Sequence, residues 1–432
     1  MSNLRITAPL LIRLADFIHR FKELKPDRKT LNHTSMVVAD TYGTAFSGIH
    51  TDAFQSALKS KDLLFGQGNF KIWGTEERSS LLGAIFYNTL AISSTDFDEG
   101  HRSAVGHPAS AVVSVAMILG EYLNKTYLEI IKSVIIGYEI GTRFSMSRVK
   151  DKITTYSTGR WAAMATASTA AYLIGLTTDE TSHALSNAAV LSPAMLGGST
   201  DVSTGSMSKE GVAWAVQAGV QSAFMAKDGF SGPYLFVDDH EDYNSDTLLS
   251  GLRDSWLINS NYFKPYACCR WLHSGIRAAE EIRNTSDFSL SEIEAIKIHT
   301  FSRAIDLMDE KYPDNIVKAQ FHFSFVVAVM LINGRLIPEY FRNENLKSDS
   351  ILKLIDKITV EPDQNYTEAF PARLPSRVEI RYSKNKSISK EILVAPWEFG
   401  SHPDDSELKQ KFDLQTKGYN HLDWDSFFLT KS

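Results

Sequence analysis

The sequence predicts a mainly α-helical protein with an α+β second domain. Up to about residue 259, apolar residues recur at helical spacing in long segments. After about residue 263, shorter segments alternate apolar with polar residues and are rich in β-branched side chains, which is typical of strands. With 432 residues, the chain is long enough to bury a sizeable core in two domains.

Helices dominate the first part of the chain. Three long segments are predicted as helices: residues 109–123, 127–146 and 161–174. Gly175 predicts the end of the third helix, and residues 177–180 predict the N-cap of another. Residues 7–18 have the pattern of an amphipathic first helix and no cleavage site of small residues, so we interpret them as folded structure and not as a signal peptide.

The second part of the chain predicts strands with a helix among them. The predicted strands are residues 293–300, 355–361, 378–383 and 387–395. Residues 323–333 predict a helix, and residues 406–412 predict another that returns to the first domain. The predicted domains are therefore residues 1–262 with 396–432, all helical, and residues 263–395, which are α+β.

Composition excludes several classes of protein. The net charge of −6 argues against a nucleic-acid partner, which needs a concentrated basic face, but permits an anionic small substrate. No apolar run reaches the roughly 20 residues of a membrane span. The two cysteines, Cys268 and Cys269, are adjacent and have neither zinc nor iron–sulfur spacing. We therefore expect no metal and a reducing, cytoplasmic location.

The densest polar cluster precedes the first of the long helices. It contains Asp96, Asp98, Glu99, His101, Arg102 and His107. Pro108 suits the first turn of a helix, which places His107 at a helix start, where backbone N–H groups favour an anion. A histidine beside a substrate carboxylate can act as a general acid or base near pH 7. A solvated loop with capping carboxylates is an equally open interpretation of these residues alone.

A second cluster is the Gly/Ser/Thr-rich loop of residues 197–209, which leads into a helix ending near Lys227. Its hydroxyl and N–H groups, including those of Ser206, could donate to a carboxylate, and Lys209 adds positive charge. The loop lacks the P-loop pattern. A flexible linker is the alternative interpretation.

A third cluster, residues 264–273, combines Lys264, Arg270 and His273 ahead of a predicted helix. Lys264 and Arg270 could clamp carboxylates, the arginine through two parallel hydrogen bonds. Cys269 fits a packing role better than that of a nucleophile, because no base is identifiable beside it. Elsewhere, Tyr138 within the second helix and His322 suit structural roles unless the tyrosine hydroxyl reaches a cleft.

Six motifs follow one another along nearly the whole chain. They are residues 96–101 with 106–109, 137–139, 205–213, 228–233, 264–273 and 400–412. Each is modest alone, but in this order they resemble the 2-methylcitrate dehydratase (MmgE/PrpD) family. Members of that family include 2-methylcitrate dehydratase, cis-aconitate decarboxylase and iminodisuccinate epimerase.

The resemblance implies a large helical domain built from both chain ends, a smaller lid domain with an antiparallel sheet, a homodimer and no cofactor. It also implies proton transfer at a carbon beside a carboxylate of a small di- or tricarboxylate. The catalytic residues that it implies are Asp96, His107, Lys209 and Lys264. Tyr138 is a further catalytic candidate, which with His101 as the alternative would act on the opposite side of the substrate. The substrate-binding candidates are His101, Arg102, Ser206, Cys269, Arg270 and His273. In the predicted mechanism, Asp96 orients His107, and the cationic side chains hold carboxylates.

Three positions depart from the decarboxylase members of the family. Gly100 stands where the decarboxylase and also the dehydratase members carry threonine. Cys269 stands where the decarboxylase members carry histidine, and Phe325 where they carry tyrosine. These departures speak against decarboxylation of cis-aconitate, and residues 99–102 and 268–273 resemble the epimerase-like branch of the family more closely. The same side chains support dehydration and epimerisation, and of these two we predict a dehydratase. The alternatives that stay open are an epimerase of an iminodisuccinate-like dicarboxylate, a decarboxylase, and a dicarboxylate-binding protein without turnover.

Overall fold

The computed structural model describes residues 8–429 apart from 194–205, 236, 239–240, 253, 309 and 384–385. Its buried apolar side chains form two clusters. The first cluster draws on residues 10–263 and again on residues 408–427. The second cluster draws on residues 266–380 and on one residue from the first part of the chain, Phe97. The segment around Phe97 therefore joins the two clusters.

Helices make up almost all of the first cluster. They are α1 Leu10–Arg20, α2 Arg28–Gly48, α3 Asp52–Leu58, α4 Lys61–Phe65, α5 Leu81–Ser94, α6 Pro108–Tyr122, α7 Tyr127–Met146, α8 Gly159–Ile174, α9 Thr178–Leu191, α10 Val212–Lys227 and α11 Ser245–Leu249. The predicted domain is not entirely helical, because the two-residue strands β1 Phe70–Lys71 and β2 Arg78–Ser79 pair in antiparallel fashion. In the described part of the chain, no helix is both long and apolar enough to cross a membrane.

Small residues allow α7 and α8 to pack closely. A Cβ atom on Gly137 would lie 1.9 Å from Thr169 Oγ1, and one on Gly141 would lie 2.4 Å from the Cβ of Ala165. Only glycine fits at these two crossing points. The segment that forms α8 is rich in alanine and threonine, and these small side chains permit the close contact.

The predicted boundary between α8 and α9 is confirmed. Gly175 ends α8 in the left-handed region, with φ 82°. At the start of α9, the Thr177 side chain accepts a hydrogen bond from Glu180 N, while the Glu180 carboxylate accepts one from Thr177 N. This reciprocal capping box is the one that the sequence predicts.

The second cluster combines helices with a four-stranded sheet. Its elements are α12 His273–Thr285, β3 Ile293–Thr300, α13 Ser302–Ile305, α14 Ile316–Gln320, α15 Phe323–Asn333, α16 Asn343–Leu346, α17 Asp349–Ile355, β4 Ile358–Pro362, α18 Gln364–Ala369, β5 Ser376–Tyr382 and β6 Lys386–Ile392. The strand order is β4-β3-β5-β6. The pairs β3–β5 and β5–β6 are antiparallel, whereas β3–β4 is parallel, so the sheet is mixed.

Two predicted strand boundaries were wrong. The segment predicted as a strand from residue 355 begins as β4 only at Ile358, because residues up to Ile355 belong to α17. Ile351, Leu354 and Ile355 are buried at spacings of three and four residues, which is a helical pattern. The last predicted strand ends at Ile392 and not at residue 395.

The end of the chain packs on the first cluster. The predicted helix at residues 406–412 lies within α19 Asp405–Gln415, whose Leu408 and Phe412 join the first cluster. A Cβ atom on Gly43 of α2 would lie 3.0 Å from the Phe412 ring, so α19 rests directly on α2. The exact division into domains stays a prediction.

Candidate active site

The loop after α5 supplies most of the polar groups of the candidate site. Asp96 has a left-handed backbone with φ 51°, a conformation that aspartate adopts more readily than most residues other than glycine. The ring of Phe97 is buried in the second cluster, and its carbonyl oxygen accepts a hydrogen bond from Lys411 Nζ at 2.7 Å. The Phe97 ring and the Phe97 carbonyl oxygen thus tie the loop to both clusters. This fixes the positions of the neighbouring residues Asp96 and Asp98.

The carboxylate of Asp96 is the centre of the site. Its Oδ1 atom lies 2.8 Å from Lys264 Nζ and 3.1 Å from Lys209 Nζ. Lys264 also donates to the Asp96 carbonyl oxygen at 3.0 Å. Burial alone would raise the pKa of Asp96, but the two ammonium groups hold it well below its usual range. The pKa of Lys209 is raised despite its burial, mainly by Asp96 and Glu210.

His107 completes the central group at the start of α6. Its Nε2 atom lies 3.5 Å from Asp96 Oδ1, while its Nδ1 atom lies 2.8 Å from the Glu99 carbonyl oxygen and 3.2 Å from Asp98 Oδ2. Because a carbonyl oxygen only accepts, Nδ1 carries a proton. Burial would lower the pKa of His107, but the carboxylates of Asp98 and Glu210 together more than offset it, so that pKa is raised. Asp98 and the Glu99 carbonyl therefore orient the ring at Nδ1, the role that the sequence-based mechanism gave to Asp96.

The side chain of Glu99 occupies the N-terminal end of α6. Its Oε1 atom accepts a hydrogen bond from Ala109 N at 2.8 Å, and its Oε2 atom accepts one from the Tyr138 hydroxyl at 2.9 Å. The anion expected at this helix start is therefore a side chain of the protein itself. Burial raises the pKa of Glu99 to about 7, against the opposing effect of these hydrogen bonds. Tyr138 is fully buried behind Glu99, and its catalytic role stays a prediction.

A strained turn carries Lys209 into the site. Lys209, Glu210 and Gly211 have positive φ angles of 39°, 57° and 65°. Such runs are costly for residues with a side chain and persist where the surroundings enforce them. Glu210 anchors the turn by accepting a hydrogen bond from Thr158 N at 2.8 Å. The Lys209 ammonium lies 4.9 Å from the centre of the Phe321 ring, which forms the other side of its pocket.

Two family models match the chain on both sides of this site. The model described as the MmgE/PrpD N-terminal domain matches residues 12–245, and that of the MmgE/PrpD C-terminal domain matches residues 266–422. The chain belongs to the MmgE/PrpD family. The predicted resemblance is thereby confirmed, and the protein is an enzyme of this family.

Relatives of the chain include three proteins named cis-aconitate decarboxylase. The one from Aspergillus terreus is 21% identical over 405 residues, covering 84% of this chain and 80% of its own. The one from Homo sapiens is 23% identical over 368 residues, covering 80% and 75%, and that from Mus musculus is 21% identical over 371 residues, covering 80% and 74%. The alignments therefore span most of both proteins.

The absence of a side chain at Gly100 has a structural reason. A Cβ atom at this position would lie 2.2 Å from the hydroxyl oxygen of Tyr262. Gly100 and Tyr262 also exchange backbone hydrogen bonds of 3.1 and 2.8 Å. Tyr262 thus fills the space that a threonine side chain would need. Phe325 is fully buried in α15 and packs against Phe341, so it belongs to the second cluster.

Two of the substrate-binding candidates, Arg270 and His273, already have hydrogen-bond partners within the protein, and a third, Cys269, packs against the second cluster. Arg270 donates to the Pro396 carbonyl at 2.6 Å and lies 3.3 Å from Glu398. His273 Nε2 lies 3.2 Å from the Cys268 carbonyl oxygen. Burial raises the pKa of Cys269 to about 12, which disfavours a thiolate nucleophile. These side chains therefore make contacts within the protein, and their roles in substrate binding stay predictions.

The other substrate-binding candidates lie at the edges of the site. His101 Nε2 donates to Ser260 Oγ at 3.0 Å, and burial lowers the pKa of His101 to about 4, so the ring is neutral. Arg102 donates to the carbonyl oxygens of Pro371 and Ala372 in the second cluster region. Ser206 pairs with Ser208 at 2.9 Å, while residues 197–205 of the predicted loop lie outside the described residues.

Several residues of the site received no role in the mechanism predicted from the sequence. They are the orienting carboxylate of Asp98, the anchor Glu210, its partner Thr158 and the aromatic neighbour Phe321. Asp98 and Glu210 lie next to predicted site residues in the sequence, and this position could have indicated that they belong to the site. Nothing in the sequence around Phe321 indicates that its ring would lie against Lys209.

A metal ion does not suit this group of ligands. Asp96, Asp98 and His107 could each offer one ligand atom within 4.8 Å of the others. However, Asp96 Oδ1 already contacts two ammonium groups, which would repel a divalent cation at that oxygen. The two lysines thus supply the positive charge at this oxygen.

Proposed function

We propose that this protein is a cofactor-independent lyase that removes a proton next to a carboxylate of a small di- or tricarboxylate. The observation that carries the proposal is the convergence of Lys209, Lys264 and His107 on the single carboxylate of Asp96. The relative exposure is 7% for Lys209 and 9% for His107, against 1% for Lys264. Substrate would therefore meet Lys209 and His107 first.

The lysines would bind substrate and stabilise the charge that develops during the reaction. Removing a proton beside a carboxylate delivers negative charge to its oxygens, as in an enediolate. Preorganised ammonium groups in a site with little water stabilise such charge strongly. Asp96 contributes by keeping Lys209 protonated, since its carboxylate raises the pKa of that lysine. A substrate carboxylate would then share Lys209 with Asp96.

His107 would move the proton. In its neutral form the Nδ1 proton is held by the Glu99 carbonyl oxygen, which leaves the lone pair of Nε2 available as a base. The imidazolium formed on proton transfer is stabilised by Asp98 on one side and Asp96 on the other. The histidine can later return this proton to the substrate or to a departing hydroxyl group.

The outcome depends on the substituents of the substrate carbon. Where the neighbouring carbon carries a hydroxyl group, its protonation and loss as water give dehydration, which is our first proposal. Delivery of a proton to the opposite face of the substrate carbon would instead give epimerisation. Decarboxylation is the second candidate and is favoured by the names of the relatives. Homodimerisation and a cytoplasmic location are further parts of this proposal.

Proton exchange followed by NMR in D2O would test the proposed reaction. Purified protein is incubated separately with 2-methylcitrate, citrate, cis-aconitate and an imino diacid derived from aspartate. We expect exchange and new vinyl signals with a hydroxy acid of this set. Exchange without elimination would identify an epimerase, and loss of CO2 a decarboxylase. Thermal stabilisation without any exchange would contradict the proposal and support a binding protein.

A further inference from the structure

A polar cavity lies beside the candidate active site, between the end of α2 and the end of α19. We name it the α2–α19 cleft. Its volume is about 160 Å³, well above the roughly 10–15 Å³ that a cavity needs to hold one water molecule. The residues that matter below are Thr95, Gln320 and Gln415, which are buried at its floor, and His50, Arg342 and Lys417, which are exposed at its rim.

The floor of the cleft carries polar atoms that lack hydrogen-bond partners. Within the described residues, no partner exists for Thr95 Oγ1, for Gln320 Oε1, or for either polar atom of the Gln415 side chain. All three side chains are buried and line the cleft. Buried polar groups in folded proteins are normally paired. Rotation of these side chains would turn their unpaired hydroxyl and amide groups toward a polar molecule in the cleft.

The rim of the cleft carries excess positive charge. Neither Arg342 nor Lys417 has a carboxylate within ion-pair distance in the part of the chain that the structure describes. Glu339 is the acidic residue among the lining side chains. Burial and the neighbouring Arg342 lower the pKa of His50, so this ring is neutral near pH 7. Two cations against one anion favour a negatively charged ligand, and a guanidinium group matches the geometry of a carboxylate.

The cleft is separate from the Asp96 cluster although the two share chain segments. Thr95 and Gln320 line the cleft, whereas their immediate successors, Asp96 and Phe321, contact Lys209. Gln320 Nε2 donates to the Ser94 carbonyl oxygen at 3.0 Å, which ties the two segments together. Two short stretches of backbone thus form a common wall between the cleft and the candidate active site.

We propose that the α2–α19 cleft binds a small carboxylate anion, at a site distinct from the Asp96 cluster. The carboxylate lies between Arg342 and Lys417, and the remaining polar atoms of the ligand pair with Gln415, Gln320 and Thr95. This inference concerns a second site and does not rest on the proposed reaction.

Calorimetric titration with succinate, a small dicarboxylate, would test the proposal. The double variant Arg342→Gln/Lys417→Gln removes both exposed cations of the rim, and we expect it to weaken one binding event at least about 10-fold. The matched control is Lys353→Gln, which removes an exposed cation outside the cleft and should bind as the wild type does. Thermal melting verifies that each variant is folded.

A variant of the other site separates the two locations. Lys209→Gln should retain the binding event that the rim variant loses. Loss of that event in Lys209→Gln, or wild-type affinity in the rim variant, would overturn the proposal. Absence of binding to the wild type at millimolar succinate would also overturn it. Titration with inorganic phosphate tests the ligand class, because tighter binding of phosphate than of succinate would contradict a carboxylate site.

Discussion

Two buried lysine–aspartate arrangements lie on either side of Phe97, and they differ in one respect. Asp96 has Lys264 and Lys209 at 2.8 and 3.1 Å. Among the residues that the structure describes, Asp40 of α2 has a single ion-pair partner, Lys411 of α19, at 2.7 Å. Lys411 is further held by the Phe97 carbonyl oxygen and lies 4.2 Å from the centre of the Phe97 ring. Both arrangements are buried, so burial alone does not distinguish them.

The pKa shifts of the two carboxyl groups have opposite directions. Burial raises the pKa of Asp40, and the single ammonium group of Lys411 does not offset it. Burial likewise lowers the pKa of Lys411. Two ammonium groups and an imidazole do offset burial at Asp96, whose pKa falls well below its usual range. One partner leaves the desolvation of a buried ion uncompensated, whereas several partners can compensate it.

The two arrangements therefore have different roles in the protein. A cluster that keeps its charges when buried can bind anionic substrates and stabilise negative charge as it develops. A one-to-one pair between α2 and α19 instead links the end of the chain to the first cluster. Variants that remove a partner of Asp96, or change the protonation of that cluster, should therefore lower turnover. Variants that remove the partner of Asp40 should instead lower stability.

Lys209→Met would give Asp96 a single ammonium partner, as Asp40 has. We expect turnover to fall by at least about 100-fold, because preorganised charge is lost where the reaction needs it. The measurement is the initial rate with the substrate identified by NMR. Lys227→Met, at an exposed lysine closing α10, is the matched control and should leave the rate unchanged. A loss of less than about 5-fold would contradict the electrostatic role.

Lys411→Met would leave Asp40 buried without its partner. We expect a loss of about 3–5 kcal/mol in the free energy of unfolding, measured with urea. Turnover per folded molecule should fall much less than for Lys209→Met. The double variant Asp40→Leu/Lys411→Met should recover most of the stability, since it also removes the unpaired acid. A double variant as unstable as the single one would show that the pair does more than link α2 to α19.

The variant Asp98→Asn tests whether His107 is the base. Among the groups that raise the pKa of His107, the Asp98 carboxylate is the largest. The basic form of His107 dominates only above that pKa, so kcat/KM should fall as the pH is lowered through it. With asparagine the pKa is lower, and the acid limb of the profile should move to lower pH. If the acid limb instead stays in place or moves to higher pH, it reports the titration of a group other than His107.

Tyr138→Phe should have the smallest effect. It removes the hydrogen bond to Glu99 Oε2, which we expect to cost about 1–3 kcal/mol of stability. Turnover should stay within about 10-fold of the wild type, because the hydroxyl acts on Glu99 and lies behind it. Urea unfolding and initial rates measure the two effects. A loss of turnover beyond about 100-fold with intact folding would instead support the catalytic role predicted from the sequence.

Local features made parts of the fold predictable. The helix at residues 127–146 was predicted to the residue, and in the structure it begins at a capping box of Thr126 and Glu129. Predictions were wrong where two patterns overlap: Ile355 fits the end of a helix as well as the start of a strand. The mixed sheet was also missed, since the pairing of β3 with β4 joins segments more than 50 residues apart.

The site was predictable only in part, because its geometry depends on contacts between distant segments. The resemblance pointed to Asp96, His107, Lys209 and Lys264, and the structure brings these four side chains together. Which carboxylate faces Nδ1 of His107 depends on the left-handed backbone at Asp96, which no motif reveals. The contact between Lys209 and Phe321 likewise joins two segments that are unrelated in sequence.

Incorporation of deuterium from D2O into the substrate, compared between wild type and His107→Ala, tests the central claim most directly. With the wild type, we expect deuterium at the carbon beside the carboxylate. In His107→Ala, incorporation and turnover should fall together by about 100-fold or more, with an unchanged melting temperature. The variant His421→Ala, at an exposed histidine, serves as the control. Near-normal incorporation in folded His107→Ala would contradict the proposal that His107 moves the proton.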